Sequence, residues 1–148
     1  MAILFRALTD VDLNAQSLRR AGLPFVVEGG KNFFSRPEVG DLIAFLRAAA
    51  NPNDRAALLA VLRGPLGGVS DVELAGFASS GGRLDRVSAG EVDASSFPGL
   101  LRVLGLIETF RAAMRGRSPD EIIRAALRET QLMVLHAAMF EGAQHVAA

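Results

Sequence analysis

The sequence predicts a mainly α, multi-helical chain with one small β-strand pair, a βαβ unit, at its N-terminus. Three observations carry this. Apolar residues recur at helical spacing through most of the chain after Ser35, as in Val39, Leu42, Ile43, Leu46 and Ala50. Helix-start signals of the form Ser-x-x-Glu precede several of these runs. Two short apolar runs, Ala2–Phe5 and Phe25–Glu28, flank a helical stretch near the start, the order of a parallel crossover.

In order, Ala2–Phe5 reads as a buried strand that Arg6 ends. Thr9 or Asp10 can cap a helix with Val11, Ala15, Leu18 and Gly22 on one face, and Gly22 with Pro24 stops it. Phe25–Glu28 is the second strand. A parallel pair this short does not stand alone, so helices or further strands must cover it. Gly29 and Gly30 open a loop that Phe33 and Phe34 anchor in the core, and Ser35 with Glu38 forms a capping box for the helix that follows. Asn51-Pro52-Asn53-Asp54 is a break, and Asn53 caps a helix over Asp54–Arg63 with Leu58, Val61 and Leu62 inward. Gly64–Val69 is a tight connection, and Ser70 with Glu73 starts the next helix. Residues 79–97 are rich in Gly, Ser and Asp and read as a loop with one helical turn. A long helix from Pro98 presents Leu100, Val103, Leu106, Ile107, Phe110 and Met114. Ser118-Pro119-Asp120-Glu121 is the clearest start signal, with Ile122, Ile123, Ala126 and Leu127 inward after it. Gln131–Phe140 reads as a last apolar helix. The boundary falls at residue 34, giving a βαβ piece over 1–34 and a helical unit over 35–148.

At 148 residues with half of them hydrophobic, the chain can bury one sizeable core. It holds no run of eighteen apolar residues and no signal-peptide pattern, so neither a membrane span nor a secretory leader is expected, and the location predicted is cytoplasmic. Cysteine is absent, which removes disulfides and thiolate metal sites. His136 and His145 have no ligand cluster around them and read as surface or boundary histidines, so no metal site is predicted. The formal net charge is zero, which argues against a strong electrostatic grip on DNA. No phosphate-cradling loop of the form GxxxxGK[ST] and no nucleophile–histidine pair occurs, so the chain carries no visible catalytic engine of its own. It begins directly on a predicted strand and ends without a cap or stop signal, and is read as a piece of a longer protein.

Gly29–Arg47 has the pattern G-G-x-x-F-F-x-R-x-E-V-x-D followed by an apolar helix. It resembles the UvrD, Rep, RecB and AddA group of superfamily 1 DNA helicases. AILFR, followed by Leu18, Gly22, Leu23 and Pro24, looks like that family's motif IV strand and the helix after it. NPNDRAALLAVLRGPLGGVSDVEL looks like the start of the 2B subdomain, and LRETQLMVLHAAMFEGAQHVA looks most like the AddA/RecB exonuclease V subunits. The match is good from Ala2 to about Leu74. It makes residues 1–34 a motor 2A-like piece and residues 35–148 a 2B-like subdomain.

Arg6 lies at the carboxyl end of a predicted parallel strand, where open α/β sheets bind ligands. The resemblance implies that it reaches the γ-phosphate of ATP bound between motor domains, with Mg and ATP as the whole protein's cofactors. Phe5 falls where the family often has a tyrosine that stacks on adenine. The plain alternative is a strand-end surface arginine beside a buried phenylalanine. Gly64–Glu73 has the layout of a helix-hairpin-helix element, whose backbone amides and helix N-terminus can hold a DNA phosphate without reading sequence. The candidates there are Gly67, Gly68, Val69 and Ser70, with charge from Arg55 and Arg63. The family's turn usually has a third glycine where this chain has Ser70, and an ordinary αα turn is the alternative. Arg36, Glu38 and Asp41 have spacing suited to ion pairs at a 2A–2B junction, or to a structural role at a helix start.

The predicted function is therefore part of an ATP-dependent DNA helicase or helicase–nuclease acting in repair and recombination. Its partners would be duplex DNA bound without sequence preference, the remaining helicase domains and a second nuclease subunit. The alternative is a free-standing helical DNA-binding or protein-interaction module without catalysis.

Overall fold

The computed structural model describes residues 3–6, 11–25, 34, 36–85 and 87–139. Seven α-helices run through them: α1 Val11–Arg20, α2 Pro37–Ala50, α3 Arg55–Arg63, α4 Asp71–Ser79, α5 Pro98–Ala113, α6 Pro119–Thr130 and α7 Leu132–Ala138, with a 3-10 turn at Ala89–Glu91 between α4 and α5.

The predicted strand pair is not seen: the described residues contain no β-strand. Ile3–Arg6 is irregular and exposed, with Leu4 at 94% of its full accessibility, and Phe25 is likewise outside any strand. The physical reason is pairing. A strand's amides and carbonyls need a neighbouring strand, and an isolated pair has too little core to hold itself together. The remaining residues of both predicted strands, Ala2 and Val26–Glu28, lie outside the described residues, as do the caps Thr9, Asp10 and Ser35 and the loop anchor Phe33. Phe34, expected in the core, is 78% exposed.

The core belongs to α2–α6. Phe45 and Phe110 are its centre, fully buried with ring centroids 4.9 Å apart and tilted. Around them pack Leu58, Val61 and Leu62 of α3, and Leu100, Val103, Leu104 and Ile107 of α5. Burying a side chain of this size contributes about 1.5–3 kcal/mol. α2 and α3 make the most extensive helix pair. Their connection is fixed at Asp54, which replaces Asn53 as the cap of α3: its Oδ1 accepts from Ala57 N–H, and its other oxygen pairs with Arg47 at 2.8 Å.

The inward face of α2 differs from the predicted one. Phe45, Ala48 and Ala49 are buried, while Ile43 and Ala50 are exposed. α2 packs against both α3 and α5, and its sequence is apolar almost all round, so periodicity does not single out one side. α6 likewise buries Ala125, Ala126 and Thr130 and leaves Ile123 exposed. The start signal at Ser118 is realised in full: Ser118 N–H donates to Glu121 Oε2 at 2.9 Å. His136 is not a surface histidine but 2% exposed, and its Nε2–H donates to Asp41 Oδ2 at 2.8 Å. That bond ties α7 to α2.

Candidate functional site

The predicted site residues fall in two separate stretches. Phe5 and Arg6 lie in the irregular N-terminal segment, Phe5 at 38% exposure and Arg6 exposed. Phe5 is therefore not the buried phenylalanine of the plain structural alternative.

Gly67, Gly68, Val69 and Ser70 form the turn between α3 and α4. Gly64 O closes it by accepting from the N–H of both Gly67 and Gly68, at 3.1 and 2.9 Å, and Val69 N–H donates to Leu62 O at 2.9 Å. Leu66 and Val69 are buried and pin the turn to the core. Two glycines are required here. A Cβ on Gly67 would sit 2.3 Å from the carbonyl oxygens of Val61 and Leu62, and Gly68 has φ +59. Ser70 caps α4, its Oγ accepting from Glu73 N–H at 3.1 Å.

This hydrogen bonding relocates the donors available to a phosphate. The amides of Gly67, Gly68 and Val69 already have acceptors within the chain. The first-turn amides of α4, at Asp71 and Val72, point along the helix axis toward solvent, as helix geometry dictates. The donor set thus sits three and four residues beyond Gly68, at the positive end of α4.

The arginines predicted to add charge are both paired. Arg63 Nε lies 2.9 Å from Asp71 Oδ1, and its Nη2 donates to Asp71 Oδ2 at 3.1 Å, a fork that clamps the end of α3 to the start of α4. Arg55 Nη2 donates to Asp85 Oδ2 at 3.0 Å. Asp85 also accepts two hydrogen bonds from Arg83, which with the Arg55 charge hold its carboxyl far below the usual carboxylate range. Both arginines keep more than half of their side-chain surface exposed, and such pairs contribute only ~0–1 kcal/mol, so a phosphate can compete for them.

The sequence did not disclose two further contacts to this hairpin. Glu73, predicted to finish a capping box at Ser70, instead turns its carboxylate to Leu100 N–H at 2.9 Å and caps α5. Gly99 is the one sequence trace of this, because a Cβ there would meet Glu73 Oε2 at 2.8 Å. Arg102 on α5 donates to the carbonyls of Leu66 and Gly67 from behind the turn, and no local pattern announces it. Arg36 and Glu38 approach to 4.0 Å, whereas Asp41 is taken by His136.

Among the described residues there is no group of three His, Cys, Asp or Glu able to hold a metal ion, and no helix long and apolar enough to cross a membrane. Residues 1–83, which include Arg6 and the whole α3–α4 turn, match the UvrD-like helicase C-terminal domain. The chain belongs to that family. It is 42% identical over 73 residues to ATP-dependent DNA helicase Rep of Buchnera aphidicola subsp. Baizongia pistaciae, covering 49% of this chain and 11% of that protein. It is 30% identical over 141 residues to ATP-dependent DNA helicase UvrD1 of Mycobacterium tuberculosis, 88% of this chain and 18% of the relative. Rep of Escherichia coli is 39% identical over 64 residues, 43% and 10%. The chain thus spans about a tenth to a fifth of the length of these relatives. They are UvrD- and Rep-type helicases, which bears out the superfamily 1 resemblance at that level.

Proposed function

We propose that this chain is the region of an ATP-dependent DNA helicase in which motor domain 2A, residues 1–34, passes into subdomain 2B, residues 35–148. The observation that carries this is the match over residues 1–83, which covers both the segment that resembles motif IV and the α3–α4 hairpin as one continuous stretch. In this reading Arg6 places its guanidinium against the γ-phosphoryl oxygens of bound ATP and stabilises the charge that develops there. Phe5 offers its ring to the adenine. The half-exposed state of Phe5 and the exposure of Arg6 support this, since both are open to a ligand. ATP and Mg belong to the whole helicase, and this chain alone is inactive, because it has no phosphate-cradling loop.

The α3–α4 hairpin holds duplex DNA through phosphates, with donors from the start of α4 at Ser70, Asp71 and Val72, and with Arg55 and Arg63 exchanging their carboxylate partners for phosphate. Contacts of this kind carry no base information, and the net charge of zero supplies no broad steering field. Binding is therefore weak, sequence-independent and steeply salt-dependent. The wider setting is a cytoplasmic helicase of DNA repair and recombination. A place in the AddA/RecB branch, with a nuclease domain and a second nuclease subunit, rests only on the stretch Leu127–Ala147.

The test is Arg6→Ala in the helicase that contains this chain. With saturating DNA, turnover of ATP falls by about 10²–10³, the usual loss of one preorganised donor. Nucleotide affinity falls much less, and thermal unfolding is unchanged because Arg6 is exposed. Arg6→Lys recovers little, since a point charge does not replace a planar fork. Near-normal turnover of Arg6→Ala would overturn the motif IV assignment.

A further inference from the structure

The α3–α4 turn is held from two sides by α5, a helix outside residues 1–83 that match the family. From α4, the Glu73 carboxylate reaches Leu100 N–H and fixes where α5 begins. From α5, two residues further on, Arg102 returns to the turn: Nη1 donates to Leu66 O at 3.5 Å and Nη2 to Gly67 O. These carbonyls belong to the same peptide units as the N–H groups of Gly67 and Gly68, which converge on Gly64 O. A guanidinium on the oxygen end of a peptide polarises its N–H end and strengthens the bond made there. Arg102 therefore acts on both hydrogen bonds that close the turn, and through them on the direction in which α4 presents its first amides.

We propose that Arg102 is a positioning residue for phosphate contact at the α3–α4 hairpin, acting through the Leu66 and Gly67 carbonyls and not by touching DNA. This rests on the hairpin being the DNA contact.

The experiment compares Arg102→Met, Arg102→Lys and Val72→Glu in the 148-residue chain. Val72 is 83% exposed at the second position of α4, so a carboxylate there repels phosphate while leaving the core intact. Three quantities are read for each variant: the amide chemical shifts of Gly67 and Gly68 without DNA, affinity for a short duplex across a salt series, and the thermal midpoint. Arg102→Met is expected to move both glycine amides and to weaken duplex binding roughly three- to tenfold, the scale of a residue acting through others. The salt dependence should keep its slope and the midpoint should stay within a degree or two. Arg102→Lys should recover part of both effects. Val72→Glu should weaken binding with the glycine amides in place.

If Arg102→Met leaves the amides or the affinity unchanged while Val72→Glu weakens binding, the positioning role is wrong and the hairpin contact stands. If Val72→Glu also binds normally, the hairpin is not the contact and the role of Arg102 falls with it. If Arg102→Met lowers the salt slope by about 0.9, one phosphate contact has been lost. Arg102 then binds DNA directly, and positioning is refuted.

Discussion

The N-terminal segment and the helical body treat the same kind of side chain in opposite ways. Ile3, Leu4, Phe5, Leu13 and Leu23 are apolar and exposed, whereas Phe45, Leu62, Leu100, Ile107 and Phe110 are apolar and fully or almost fully buried. The first set lies within the residues on which the motif IV resemblance rests. Several of the second lie in α5, beyond the residues that match the family. Phe45 and Leu62 lie within residues 1–83, so the recognisable stretch and the core overlap in α2 and α3, and it is the N-terminal segment alone that is recognisable without being packed. Exposed apolar clusters mark surfaces that bind something else. In the proposed reading that partner is the remainder of motor domain 2A.

The contrast is broken most directly by truncating one residue on each side. Phe110→Ala removes half of the central ring pair and is expected to destabilise the chain by about 3–5 kcal/mol. Leu4→Ala removes an exposed side chain and should stay within about 0.5 kcal/mol. With no Trp or Tyr in the chain, urea unfolding followed by far-UV circular dichroism is the suitable measurement. Equal losses for the two variants would mean that the N-terminal segment is part of the core.

The body was legible in the sequence wherever a cap or a stop is chemically specific. Ser70 and Ser118 start helices as expected, and the interruptions at Asn51–Asn53 and Gly64–Gly68 fall between helices. Inward faces were less legible. In α2 the run Leu42–Leu46 is apolar at every position, so the packing of α3 and α5 decides which residues turn inward. The strand pair was misread because an apolar tetrapeptide specifies a strand only when another strand is there to pair with it. At the hairpin, the glycines were legible and their partners were not. Arg102 reaches back 36 and 35 positions to Leu66 and Gly67, and Glu73 forward 27 to Leu100, distances over which no local pattern acts. His136 was misjudged for the same reason, its carboxylate partner being 95 residues away.

Glycines sharpen the comparison at a smaller scale. Gly67→Ala forces a Cβ to within 2.3 Å of two carbonyl oxygens. It should destabilise by about 1–3 kcal/mol, as overpacking does. Gly40→Ala, in α2 with open space around the new methyl group, should instead stabilise by about 0.5–1 kcal/mol, because alanine loses less backbone entropy in a helix. The measurement is the urea midpoint at constant slope. A loss at Gly40 would mean that something covers α2 there.

The smallest effect expected is one of pH. Asp54, Asp85, Asp93, Asp120 and Glu121, all in the body, have pKa values lowered in the folded chain. The leading causes are the Ala57 N–H for Asp54, Arg83 for Asp85, Ser96 for Asp93, Ser118 for Asp120 and the Ser118 N–H for Glu121. A carboxylate lowered in the folded state adds stability above its unfolded pKa of about 4 and loses it as pH falls toward the folded value. The thermal midpoint should therefore be level from neutral pH to about pH 5 and decline below about pH 4. Asp85 is the most shifted of the five and serves two arginines from one carboxylate, so Asp85→Asn should shallow the acid limb more than Asp93→Asn does. The loss at neutral pH should be slight, because Arg55 and Arg83 remain largely exposed and keep their hydration. An acid limb as steep in Asp85→Asn as in the parent chain would show that the Arg55–Asp85–Arg83 cluster does not hold loop 80–88 to α3. The attachment would then rest on Leu84 and Val87, which pack against the core, and on Ala89 N–H just beyond them, which donates to Glu108 at 2.8 Å.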